Sequence, residues 1–184
     1  MDGKDNNVFK KLIATLNRYK EDIIITTDDD VLYPYDMIET ALKEYKSNKE
    51  KNPMSFGGYQ TDWVINKTKI HSHYGALTIV KYIFFNEKLN ELYNETYDNA
   101  VKNGIKAYDD LLYTYAALIN GYLYKRGKYS VRSYTFNSPQ LSNPFSDRNS
   151  KQNWERILIY HDYIRNYIFD KYNLTAEQLI KKSI

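Results

Sequence analysis

The chain has 184 residues, enough for one domain with a real core, and its 42% hydrophobic content is that of a globular protein. Its 26 Lys and Arg against 23 Asp and Glu leave a net charge of +3, too balanced for a global electrostatic case for nucleic-acid binding. The absence of cysteine excludes disulfides and thiolate metal sites and is compatible with a reducing compartment. The first residues, MDGKDNNVFKK, lack the apolar centre of a signal peptide, and no apolar run is long enough to span a bilayer, so a soluble cytoplasmic protein without a transmembrane segment is expected. Twenty tyrosines, each joining an apolar ring to a polar hydroxyl, suit half-buried positions and sugar-contacting surfaces alike.

In chain order, the first expected element is a helix from Asn7 to Arg18 with Phe9, Leu12, Ile13 and Leu16 on one face. Then comes Asp22 to Pro34, DIIITTDDDVLYP. Ile23, Ile24 and Ile25 have no alternating polar partner, the pattern of a central strand covered on both faces in a largely parallel sheet. Ligands of such sheets bind beyond the carboxyl ends of the strands, and here that end carries Asp28, Asp29 and Asp30. Three adjacent negative charges repel, and holding them together is costly unless a divalent cation or backbone N–H groups compensate.

Asp36 and Glu39 form an acidic capping box before Ile38, Ala41, Leu42 and Tyr45, which recur at helical spacing up to a loop ending at Pro53. Met54 to Tyr59, Asp62 to Ile65 and Lys69 to Tyr74 read as short strands, the last two joined at Asn66-Lys67, with Gly57, Gly58 and Gly75 as punctuation. Asn86 to Asn103 reads as a polar helix ending at Gly104, and Tyr108 to Tyr124 as a stronger helix with Leu111, Tyr115, Leu118 and Ile119 inward. Strands are expected near Tyr122 to Lys125 and Ser130 to Thr135. Between them Lys125-Arg126-Gly127-Lys128 is a local basic run suited to phosphate or a membrane surface. Asn137 to Asn153, with Pro139 and Pro144, marks a long loop before a helix carrying Trp154, Ile157, Leu158, His161 and Ile168. A short last helix opens with the capping-box spacing Thr175 to Gln178.

The stretch FKKLIATLNRYKEDIIITTDDDVLYPYDMIETAL, a later Gly75-Ala76 turn and AYDDLLYTYAALINGYLY together resemble a bacterial and viral group of glycosyltransferases with the GT-A fold. The resemblance runs in the same order from Phe9 to about Ile159. It implies a single α/β domain over residues 1–184, a GT-A-like mixed sheet flanked by helices. It also implies a D-x-D motif in which Asp30 and Asp28 hold Mn²⁺ or Mg²⁺ against the diphosphate of a nucleotide-sugar donor. Asp28 would also face the ribose or a metal-bound water, and Asp29 would support both. The acidic pair Asp109-Asp110 would then lie beside a glycan or lipid-linked acceptor, with Asp110 as general base and Asp109 as helix cap or hydroxyl ligand. Such a protein would serve polysaccharide biosynthesis. The plain alternative for that pair is an ordinary helix N-terminus, where Asp caps N–H groups and favours the macrodipole.

Other residues carry weaker signals. His161 shares an apolar helix face and reads as a core residue; His71 and His73 alternate on one strand without an acidic partner. Tyr74, Gly75 and Ala76 could line an acceptor pocket, and Trp63 and Trp154 could stack on sugars, although Trp154 at helical spacing reads as core. The chain departs from the resembling family before the D-x-D strand, where the residues up to Asp22 are too few for one βαβ unit. The expected fold is thus truncated at the N-terminus. The donor-base pocket is then missing, or a partner chain supplies it. Two other classes compete: a haloacid-dehalogenase-like phosphohydrolase with Asp28 as nucleophile and Asp30 as acid/base, and a catalytically silent carbohydrate- or nucleotide-binding module.

Overall fold

The computed structural model describes residues 12–28, 33–56, 63–65, 68–70, 77–105, 108–128 and 151–182. It is a mixed α/β chain. After a short helix α1 (Ile13–Arg18), strand β1 (Ile24–Thr27) leads to α2 (Met37–Ser47) and β2 (Met54–Phe56). A hairpin of β3 (Trp63–Ile65) and β4 (Thr68–Ile70) precedes β5 (Leu77–Val80). Helical chain then dominates: α3 (Glu87–Leu92), a π-helical turn over Tyr93–Tyr97, α4 (Asp98–Lys102) and α5 (Asp109–Ile119). The short β6 (Lys125–Arg126), α6 (Lys151–Tyr172) and α7 (Ala176–Lys182) follow.

The main sheet has the order β1-β5-β2-β6. β5 is antiparallel to both β1 and β2, while β6 is parallel to β2, so β1, β2 and β6 run one way and β5 the other. This corrects the expectation for the isoleucine run: among the described residues β1 lies at the end of the order and its neighbour is antiparallel. Ile24 and Thr26 face the core, whereas Ile23 and Ile25 are only half covered, and partial cover is enough to favour apolar residues on both faces. The strand buried on both faces is β5, whose four residues Leu77, Thr78, Ile79 and Val80 are all buried. Its one polar side chain is paired: the Thr78 hydroxyl meets that of Thr26, its direct cross-strand partner.

The strand and helix boundaries differ from expectation for local reasons. The helix expected from Tyr108 to Tyr124 ends at Ile119, because Gly121 adopts φ 85° and closes the helix, its N–H bonding Leu118 O at 2.9 Å and that of Tyr122 bonding Ala117 O at 2.9 Å. Gly104, at φ 66°, ends α4 in the same way, as expected. Ile38 points out at 51% exposure while Ala41 and Tyr45 are buried. The Asp36 carboxylate accepts the Thr40 hydroxyl at 3.2 Å instead of capping a backbone N–H. The last capping box forms reciprocally: Thr175 N–H reaches Gln178 Oε1 at 2.7 Å and Gln178 N–H reaches Thr175 Oγ1 at 3.3 Å. α6 begins at Lys151, inside the expected loop. Residues 1–11, the strand expected at Ser130 to Thr135 and most of the Asn137 to Asn153 loop lie outside the described residues.

One apolar core joins these parts. α5 is buried from Leu111 to Leu118, all round, which makes it the central helix, and Leu12, Leu16, Met54, Phe56, Phe85 and Ile164 belong to the same cluster. The carboxyl-terminal half of α6 is fastened to α3 through Glu91, which receives Lys88 Nζ at 2.9 Å, Lys171 Nζ at 3.1 Å and the Tyr172 hydroxyl.

Candidate metal and acidic site

Asp28 immediately follows β1 at its carboxyl end and is half-buried. By strand alternation it continues the inward face of Ile24 and Thr26. Its backbone is held on both sides by one side chain: Asp28 N–H donates to Tyr33 Oη at 2.8 Å, and Tyr33 Oη donates to Asp28 O at 3.0 Å. The ring of Tyr33 packs against the core, and the chain turns at once into α2, with Met37 N–H on Pro34 O at 3.2 Å. The Tyr33 hydroxyl thus ties the backbone of Asp28 to the start of the chain leading into α2. Asp29 and Asp30 lie outside the described residues.

The register fixes what shares this edge. Thr27 pairs with Leu77, Leu77 with Phe56, and the parallel β2/β6 register, Ser55 with Arg126, continues to Gly127, whose N–H donates to Ser55 O at 2.9 Å. Thr27, Leu77, Phe56 and Gly127 thus form one row across the sheet, and Asp28 and Lys128 each stand one residue beyond it. Three strands end at this edge, the setting in which ligands gather outside strand carboxyl ends.

Asp109 and Asp110 open α5, both half-buried. Tyr108 precedes them in extended conformation, and Asp109 Oδ1 accepts the Asp110 N–H at 3.0 Å. The carboxylates sit at the positive end of the helix dipole. Around them lies a layer that sequence reasoning missed. The phenols of Tyr113, Tyr124 and Tyr160 are buried, and burial above all pushes them above the ordinary tyrosine range; the acidic pair adds to this, second after burial at Tyr113 and as a smaller contribution at Tyr124 (Asp110, after Tyr113) and Tyr160 (Asp109, after Tyr163). They stay neutral hydroxyls. Nothing in a chain with twenty tyrosines singles out these three, since their convergence depends on tertiary contacts.

The two acidic groups are carried by different elements, one ending a strand and one starting a helix. Their oxygen donors suit a hard divalent cation such as Mg²⁺ or Mn²⁺. Among the described residues no three His, Asp or Glu side chains converge on one point. Mg²⁺ commonly uses one or two carboxylates and completes its shell with water and substrate phosphates, so a fixed Asp28 at an open edge fits that mode. His161 is 4% exposed, with Nε2 2.9 Å from Tyr115 Oη, and burial, reinforced by Arg165, lowers its pKa to about 4. It is a neutral core residue. His71, His73, Tyr74, Gly75 and Ala76 lie outside the described residues, as do the side chains of Trp63 and Trp154. Comparison of the chain with protein-family models, curated proteins and solved structures found no match.

Proposed function

We propose that the chain is a metal-dependent glycosyltransferase of GT-A type, moving a sugar from a nucleotide-sugar donor to a glycan or lipid-linked acceptor. The observation that carries this reading is Asp28: it follows a strand at the edge where three strands terminate, and the Tyr33 hydroxyl holds its backbone by both the N–H and the carbonyl. The resemblance of the TDDD and YDDLL stretches to glycosyltransferases points the same way.

In this reading Asp28 and Asp30 hold Mn²⁺ or Mg²⁺, with Asp29 in support, and the bound cation supplies Lewis-acid stabilisation of the departing diphosphate. Tyr33 orients Asp28 before the donor arrives, so little reorganisation is left for the bound state. Asp110 takes the proton from the attacking acceptor hydroxyl. Asp109 spends one oxygen on the Asp110 amide and holds the first turn of α5 in place. Incubation of the chain with Mn²⁺ and a panel of nucleotide sugars should release nucleoside diphosphate, and Asp110→Asn should slow transfer while donor binding persists. Turnover of p-nitrophenyl phosphate in place of nucleotide sugars would instead identify a phosphohydrolase.

A further inference from the structure

The same sheet edge carries a second, opposite charge. β6 is the last strand in the order, and Lys125, Arg126 and Lys128 are all exposed, while Gly127 between them is buried. A Cβ at Gly127 would lie 2.0 Å from Cδ1 of Phe56, so the aromatic ring fills the space on that face of the strand. Arg126, in the strand, and Lys128, two residues on and just beyond it, flank Gly127 and are both exposed, within about 7 Å of each other along the chain. The segment is rigidly mounted: Gly127 N–H is bound to Ser55 O at 2.9 Å and Lys128 N–H to Glu44 Oε1 at 2.7 Å. Among the described residues neither Arg126 nor Lys128 makes an ion pair, whereas Lys81, Lys88, Arg165 and Lys171 each do.

Position decides what these cations face. Asp28 and Lys128 lie beyond the same row of the sheet, separated by β5 and β2, which at about 4.8 Å per strand is roughly 14 Å. That separation leaves room for a second phosphate-bearing ligand beside a diphosphate held at Asp28. We propose that Arg126 and Lys128 form a second anion site that binds a phosphate group carried by the acceptor. The proposal rests on the transferase reading for the word acceptor, and it narrows that reading from any glycan to a phosphate-bearing one. An exposed guanidinium and ammonium two residues apart, on a backbone held to Ser55 and Glu44, suit two oxygens of a phosphate or two phosphates of a diphosphate.

The test is calorimetric titration of inorganic pyrophosphate into the full chain in EDTA at low salt, so that no metal at the carboxylate turn contributes. Binding is expected, and the Arg126→Ala/Lys128→Ala variant, whose altered side chains are exposed, should weaken it about tenfold or more, the loss of charge-assisted bonds. Absence of binding in EDTA, or binding indifferent to the double substitution, would overturn the site. Vesicles of phosphatidylcholine with and without phosphatidylglycerol separate the sources of the phosphate. Anionic vesicles that bind and are displaced by pyrophosphate indicate a lipid headgroup, and pyrophosphate binding without vesicle binding indicates a soluble acceptor. Vesicle binding that pyrophosphate does not displace would overturn the site in favour of diffuse surface charge. The transferase reading fails separately, by absence of nucleotide-sugar binding in Mn²⁺, a result that leaves the pyrophosphate titration standing.

Discussion

Tyr33 holds Asp28 by both backbone groups, accepting from its N–H at 2.8 Å and donating to its carbonyl at 3.0 Å. A single hydroxyl thereby connects Asp28 to the core against which the Tyr33 ring packs. Tyr33→Phe keeps the ring and removes both bonds. It should cost about 1–2 kcal/mol in urea unfolding, one to two ordinary hydrogen bonds' worth. Mn²⁺-dependent donor binding should fall more than this stability loss alone would cause, because the turn is no longer set in advance. Unchanged metal-dependent binding would mean that the clamp is merely structural.

Gly127 is required by its neighbour rather than by its backbone angle. An added Cβ would meet the Phe56 ring at 2.0 and 2.1 Å, and Phe56 is fully buried, so the ring has nowhere to go. Gly127→Ala should destabilise the chain by about 1–3 kcal/mol, the usual cost of overpacking. Adding Phe56→Leu should recover part of that loss, so that the double variant is less unstable than the sum of the two single ones. Strict additivity in a thermal-unfolding cycle would show that the contact is not the cause.

Acid should weaken the fold in two windows. His161 is kept neutral in the folded chain, with a pKa of about 4 against 6.5 for the ordinary group, mainly through burial and then through Arg165, with Asp162 opposing. Between those values the unfolded chain binds the extra proton, so stability present above about pH 6.5 is lost as pH falls toward 4, by about 3 kcal/mol at most. Glu91 acts lower. Burial alone would raise its pKa, but the bonds from Tyr172, Lys88 and Lys171 outweigh it and bring the pKa to about 2, so its contribution is lost as pH falls from 4.5 toward 2. His161→Gln should flatten the first limb of stability against pH, and Glu91→Gln the second. Parallel curves for wild type and both variants would refute these assignments.

The acidic pair divides its work. Asp109 Oδ1 already accepts the Asp110 N–H, so Asp109→Asn should mainly lower stability, by about 0.5–1 kcal/mol through the weakened helix dipole and first-turn bond. Asp110→Asn should leave the fold and donor affinity near wild type and reduce transfer by about 10²-fold or more, the usual scale of a lost general base. If Asp109→Asn proved the more damaging to turnover, the roles would be exchanged.

Much of the local punctuation was legible in the sequence, because caps and glycine stops are short-range. The Thr175 and Gln178 box, the stop at Gly104 and the inward Leu12, Ile13 and Leu16 at and after the start of α1 follow from spacing alone. What escaped was β5, although it is the strand that organises the sheet. Its four residues, Leu77 to Val80, are too short a run for periodicity to register, and the preceding Gly75-Ala76 reads as a turn. Missing it moved β1 from the end of the sheet to its centre. The Asn120-Gly121 stop was hidden because the apolar pattern of α5 continues through Tyr122 and Tyr124, which pack as ordinary loop and strand residues. At the site, Asp28 was readable as the end of an apolar run, whereas the Tyr33 clamp, the tyrosine layer and the row that aligns Lys128 with Asp28 exist only in three dimensions.

The most direct measurement is calorimetric titration of nucleotide diphosphates and nucleotide sugars into the chain with Mn²⁺ and with EDTA, repeated on Asp28→Asn and Asp30→Ala. The account predicts binding that requires the cation and is abolished by either substitution. Absence of binding under all conditions, or metal-dependent binding that survives both substitutions, would contradict a donor site at the carboxyl end of β1.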